Sequence, residues 1–265
     1  MDQRFNESSP DHYAAEDSVA GESPIQPFTG VGSVLSPTLN LFTKNFVLIA
    51  SVILVIVAPV EMLSAATIGN ETSVIPIVFV VLTGMFCKAL AAPALIYSLV
   101  VLMDTGKAPA LGEAYRWSMS RIVPLILCSI VGMLAVFAAT LLLIIPGIIL
   151  GLAFIIAYPV VVLEGGSPIA VLRRSYNLTN GYKWRIFGAL IVISMLTSIV
   201  SGSISMVAFA SGTPPFWPVA ALTSMATEVV GALQTVFTLV VYLSLVKGEK
   251  LLQLESQGIA AGALR

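Results

Sequence analysis

Lys88 lies inside an apolar run long enough to cross a bilayer. A lysine at that depth costs about 2.5–3.5 kcal/mol on insertion scales, so it has to face other protein and find a partner. Glu228 and, further toward the outer surface, Glu61 are the carboxylates placed to supply one. Such a cluster either selects one helix arrangement as a structural ion pair or forms part of a path for a charged solute; a lysine snorkelling from a bent helix is the remaining reading. A second set is Glu164, Arg173, Arg174, Trp184 and Arg185. Glu164 closes an apolar run just before Gly165-Gly166 and a basic stretch. Paired with Arg173 or Arg174 it would fix how that stretch lies and leave donors free for a phosphate headgroup or a protein partner. A solvated pair would contribute only about 0–1 kcal/mol.

Other chemistry has few parts to work with. The single histidine, His12, sits in a polar tail, and there is no Gly-rich phosphate loop, nucleophile elbow, HExxH or Cys/His metal spacing. Cys87 and Cys128 lie in apolar runs and read as small hydrophobes. Ser194, Ser198, Ser201 and Ser205 form a helical stripe that suits close helix packing better than a polar path. The sequence therefore predicts no enzyme, no catalytic residue, no cofactor, no metal and no nucleic-acid partner.

The elements that must hold these residues follow from composition. The chain is 57% hydrophobic and 10% charged, whereas soluble domains carry about 25% charged residues. From Ile122 to Leu163 no Asp, Glu, Lys or Arg occurs. As one helix that run would reach roughly 63 Å, about twice a ~30 Å hydrocarbon core, so it must turn once, and Pro146-Gly147 is the expected place. An all-α integral membrane protein with six spans results: Phe46–Ala66, Val74–Met103, Ile122–Ile145, Ile148–Leu163, Ile186–Ala210 and Val219–Val246. Pro93 gives the long second span a place to bend.

Twelve of the thirteen Lys and Arg residues then fall on one side, and the first, third and fifth loops hold none. The positive-inside rule places both termini in the cytoplasm. Residues 1–30, acidic and rich in Ser and Pro, read as a disordered tail with no cleavable signal peptide. Residues 31–250 form the membrane domain and 251–265 a short tail. Asn70-Glu71-Thr72 is a glycosylation sequon on the outer side, and the segment from Thr213 to Pro218 reads as a rigid outer turn.

Each odd-numbered span is preceded by a short amphipathic stretch: Ser36-Pro37 to Asn45, Ala108-Pro109 to Arg121, and Ser167-Pro168 to Arg185. Pro at the first helical position, recurring apolar and aromatic residues and a closing cation suit helices lying in the headgroup layer. The spacing suggests three repeated units of elbow plus helical hairpin.

Ile145-Pro146-Gly147, Pro159 to Gly165, Ser167-Pro168, Arg173 to Thr179 and Trp184-Arg185 together resemble the membrane domain attached to some bacterial glycerophosphoryl diester phosphodiesterases, and related multi-pass proteins of unknown function. The resemblance is specific over residues 145–188. It implies an all-helical bacterial membrane domain without an activity of its own, since phosphodiesterase chemistry belongs to a separate soluble domain for which this chain is expected to have no room. The leading expectation is a non-catalytic scaffold that binds membrane lipids or a membrane or cytoplasmic protein. The alternative is a transporter or lipid-translocating protein using Lys88, Glu228 and Gln234.

Overall fold

A computed structural model describes residues 26–68, 74–210 and 217–256. Among these residues nine helices follow in order: α1 (Val31–Lys44), α2 (Phe46–Ile68), α3 (Val74–Thr105), α4 (Leu111–Leu142), α5 (Ile144–Ala153), α6 (Ala157–Leu163), α7 (Pro168–Thr179), α8 (Lys183–Ala210) and α9 (Trp217–Ser256). There is no strand among the described residues. The sequon, His12, the tails at 1–25 and 257–265 and most of the turn before Pro218 lie outside the described residues. The short C-terminal tail expected from residue 251 begins as six further residues of α9, through Ser256.

Among the described residues, six helical segments are long and apolar enough to cross a membrane: α2, α3, α4, α5 with α6, α8 and α9. This is the makeup of a multi-pass membrane protein. Helices apolar all round have to be buried in protein or lipid, and the six divide that way. α3 and α9 form the centre, where Leu95, Ile96, Leu99, Val236, Phe237 and Val240 have no exposure. α2, α4 and α8 pack around them and keep outward apolar ridges, with Phe137, Met195 and Met206 exposed. On α8 the inward line is Ile186, Ala189, Ile193 and Thr197. The serine stripe runs along its flank with Ser198 exposed, and Ser205 Oγ donates to Ser201 O of its own helix. Ser194, Ser201 and Ser205 are half-buried, so the stripe borders the inward line rather than forming it.

The turn between the third and fourth spans falls at Leu143, three residues before the expected Pro146. Leu143 alone is extended, and Pro146 sits in the first turn of α5, where a missing N–H costs nothing. The fourth span breaks at 154–156 into α5 and α6. Phe154 N donates to Gly151 O and Ala157 N to Phe154 O, a tightening that draws Ala157 away from its helical partner Ala153 O. α7 supplies the replacement: Ser175 Oγ donates to Ala153 O at 2.6 Å and Thr179 Oγ1 reaches it at 3.4 Å. Both hydroxyls are fully buried. Ser175→Ala is expected to cost about 1 kcal/mol, and about 2 with Thr179→Val added, because the carbonyl then has no donor. Reversible unfolding in mixed micelles measures this.

The amphipathic stretches differ from one another. α1 is capped at Gly30 and starts at Val31, so Pro37 lies inside it rather than at its first position. The second stretch is continuous with the third span as one helix, α4. The third matches the expected grammar, with Ser167 as N-cap, its Oγ accepting from Ala170 N at 3.4 Å, and Pro168 at the first position. α4 is fixed to its neighbours by polar bonds. Tyr115 Oη donates to Val52 O, and Ser118 Oγ to Leu90 O at 2.8 Å.

Candidate functional site

α6 ends at Leu163, and Gly165 and Gly166 follow at φ +71° and +105°. These left-handed conformations strain any residue with a Cβ. That turn folds α7 back against α6 and brings Arg174 onto Glu164, the cap of α6. Arg174 Nε donates to the two Glu164 oxygens at 3.2 and 3.3 Å. Its other edge meets α9: Nη1 donates to Glu249 Oε1 at 2.9 Å and Nη2 to Glu249 Oε2 at 2.7 Å, a bidentate pair. Tyr242 Oη, two turns before Glu249 on α9, donates to Glu164 Oε1 at 2.9 Å. One guanidinium thus ties together α6, α7 and α9. The Glu249 hydrogen bond, opposed by partial burial and assisted by the charge of Glu164, holds its pKa above the ordinary guanidinium value.

The expected pairing of Glu164 with Arg173 or Arg174 is therefore made by Arg174. Glu249 and Tyr242 were not foreseen, because Glu249 sits between Lys247 and Lys250 and reads as part of a solvated basic end. The heptad spacing of Tyr242 and Glu249, which sets both on one face of α9, was the available signal. Arg173, Trp184 and Arg185 lie on the exposed side. Trp184 is 70% exposed, and Arg185 Nη1 donates to Thr29 O at 3.2 Å. Beside them Lys183 Nζ lies 3.9 Å from the Tyr176 ring centre.

α7 is two-faced. Val171, Leu172, Ser175, Leu178 and Thr179 are buried, while Ile169, Arg173 and Tyr176 are exposed along the opposite face. Next to the clamp, the end of α7 and the turn after it, the segment before α1 and α9 line an open cavity of about 570 Å³, with Asn177, Asn180, Tyr182 and Glu249 in its wall. The buried Ser244 hydroxyl, also in that wall, has no hydrogen-bond partner among the described residues.

The intramembrane set is less closely defined. α2, α3 and α9, which carry Glu61, Lys88 and Glu228, pack against one another, and Glu61 and Glu228 are half-buried. The Lys88 side chain lies outside the described residues. Gln234 is exposed and does not face the bundle. No group of three or more His, Cys, Asp or Glu among the described residues could hold a metal ion.

Residues 126–246 match a domain of unknown function, DUF7847. That stretch runs from the third span through the sixth and contains Glu164, Arg174 and Tyr242, while Glu249 falls just beyond it. No curated protein and no solved structure matches the chain.

Proposed function

We propose that this chain is a non-catalytic scaffold of the bacterial inner membrane, with both termini cytoplasmic, and that the outward face of α7 and the start of α8 bind anionic lipid headgroups. The carrying observation is that face itself. Ile169, 70% exposed, Tyr176 and Trp184 offer apolar and aromatic surface beside Arg173, while the Arg174 clamp holds the helix in place. Apolar side chains beside cations are what a helix in the headgroup layer needs. The orientation rests on the one-sided distribution of Lys and Arg. The likeness of residues 145–188 to phosphodiesterase membrane domains is part of this reading, and it carries a membrane role without an activity.

Arg173→Ala with Trp184→Ala is the variant to make, since it spares the clamp. In native nanodiscs made without detergent, mass spectrometry is expected to find anionic lipid enriched around the wild type and around Lys88→Leu, with the enrichment lost in the Arg173/Trp184 variant. Enrichment unchanged in that variant would sink the reading. A stoichiometric protein lost instead would make α7 a protein-docking surface.

The second reading is transport through the cluster of Lys88, Glu228 and Glu61, favoured by the mutual packing of α2, α3 and α9. It requires Lys88→Leu to abolish flux of a charged solute at unchanged abundance while α7 variants keep it.

A further inference from the structure

Between α4 and the broken pair α5–α6 is a cavity of about 320 Å³. Its walls are mostly apolar, with Leu125 and Val136 from α4, Phe154 and Val161 from the opposite side, and Leu172 from α7; Ser129 and Tyr158 are the polar exceptions. Gly132 and Gly151 also line it, and a Cβ built on Gly151 would meet nothing within 4 Å. Met133, 74% exposed, stands at the rim, so the cavity opens on the outer surface of the bundle. An apolar cavity of about 150 Å³ admits a molecule the size of benzene. This one is about twice that volume.

One end of the cavity turns polar. On α4 the residue one turn before Leu125, on the same face, is Arg121, and one turn beyond Val161 is Gly165. The two meet there, with Arg121 Nη1 2.6 Å from where a Cβ on Gly165 would stand. Trp117 backs the guanidinium at 5.5 Å, and Trp117 in turn stacks on Tyr97 at 4.9 Å. No carboxylate among the described residues pairs with Arg121, and the nearby Glu164 is held by Arg174 and Tyr242. A planar guanidinium with no carboxylate partner among the described residues, one turn beyond the end of an apolar slot, matches a phosphate oxygen above a hydrocarbon chain.

We propose that this groove holds one acyl chain of a resident anionic glycerophospholipid whose phosphate is bound by Arg121. The site rests on the membrane reading above but uses none of the outward α7 residues. It differs from the general lipid annulus in having one place, one guanidinium and a slot of fixed volume.

The test reconstitutes the full chain in nanodiscs of equal phosphatidylglycerol and phosphatidylcholine, releases it into mild detergent and counts retained lipids by native mass spectrometry. Wild type is expected to keep one phosphatidylglycerol. Gly151→Leu fills the slot from a position with room for it and is expected to lower that occupancy at least tenfold, with helicity by circular dichroism unchanged. Val136→Phe fills the same slot from α4, and serves if the first variant folds poorly. Arg121→Gln is expected to keep a lipid but lose the preference for phosphatidylglycerol. Equal occupancy in wild type and both filling variants overturns the proposal. So does retention of a free fatty acid, or absence of headgroup preference in the wild type. Arg173→Ala with Trp184→Ala should leave this single lipid in place, so failure of the α7 reading and failure of the groove give different patterns.

Discussion

Arg174→Met lowers the unfolding free energy by about 2–3 kcal/mol, measured by reversible unfolding in mixed micelles. Removing one member of a fully buried ion pair costs about 3–5 kcal/mol, because its partner is left charged and unpaired. Here the side chains are 28% exposed for Arg174, 21% for Glu164 and 38% for Glu249, so water screens part of that cost. The loss still exceeds that of a surface pair, since two carboxylates lose their guanidinium together and Glu164 keeps only the Tyr242 hydroxyl. Glu249→Gln in the Arg174→Met background should recover part of it, and Tyr242→Phe alone should cost about 1 kcal/mol, the value of one hydrogen bond. Arg173→Met, on the exposed face, is the control and is expected to fall within about 0.5 kcal/mol of wild type. A result for Arg174→Met no larger than that control would show that the clamp does not hold the three helices. The pH dependence has a definite sign. Arg174's pKa is raised in the folded state, so its contribution is complete below the ordinary guanidinium value and is lost only as pH rises through the still higher folded one. Titration from neutral into moderately alkaline solution therefore leaves Arg174's contribution intact.

The spans were legible because a charge-free run such as Ile122–Leu163 has few ways to satisfy its backbone other than as membrane-crossing helix. The position of the turn within it was not. Proline marks a break only in a helix interior, and Pro146 falls in a first turn, so the extended residue is the unremarked Leu143. Glu164 and Arg174 were legible as neighbours across a two-glycine turn. Glu249 was not, since it lies 75 residues from Arg174 and only the packing of α9 beside α7 brings them together. The break at 154–156 shows the same limit. Phe154-Ile155-Ile156 gives no helix-breaking signal, and the hydroxyls that make the break tolerable come from Ser175 and Thr179 on another helix. The repeat fared unevenly for a related reason: capping is local and visible at Ser167-Pro168, whereas whether a stretch merges with the following span, as in α4, depends on what it packs against.

Gly147→Ala is expected to open the α4–α5 hairpin and to cost about 1–3 kcal/mol, the range for forcing extra atoms into a packed site. The two helices are joined through a single extended residue, Leu143, so their backbones must approach closely at the first turn. A Cβ on Gly147 would stand 2.9 Å from Thr140 Cα and closer still to Thr140 Oγ1, whose hydroxyl donates to Val136 O. Backbone cannot move aside as a flexible side chain can, and Thr140→Ala removes the hydroxyl but not the Cα, so it should rescue Gly147→Ala only in part. Gly151 lies one turn further along the same face of α5, where a Cβ meets nothing, and Gly151→Ala should change stability by less than about 0.5 kcal/mol. Comparing the two glycines holds residue type, helix and lipid environment constant and varies only the distance to α4. If Gly147→Ala unfolds at the wild-type midpoint, the close one-residue hairpin is wrong. If it is destabilised as expected, the same variant should also release the lipid from the groove, because α4 and α5 are two of its walls and moving them apart changes the slot that grips the chain.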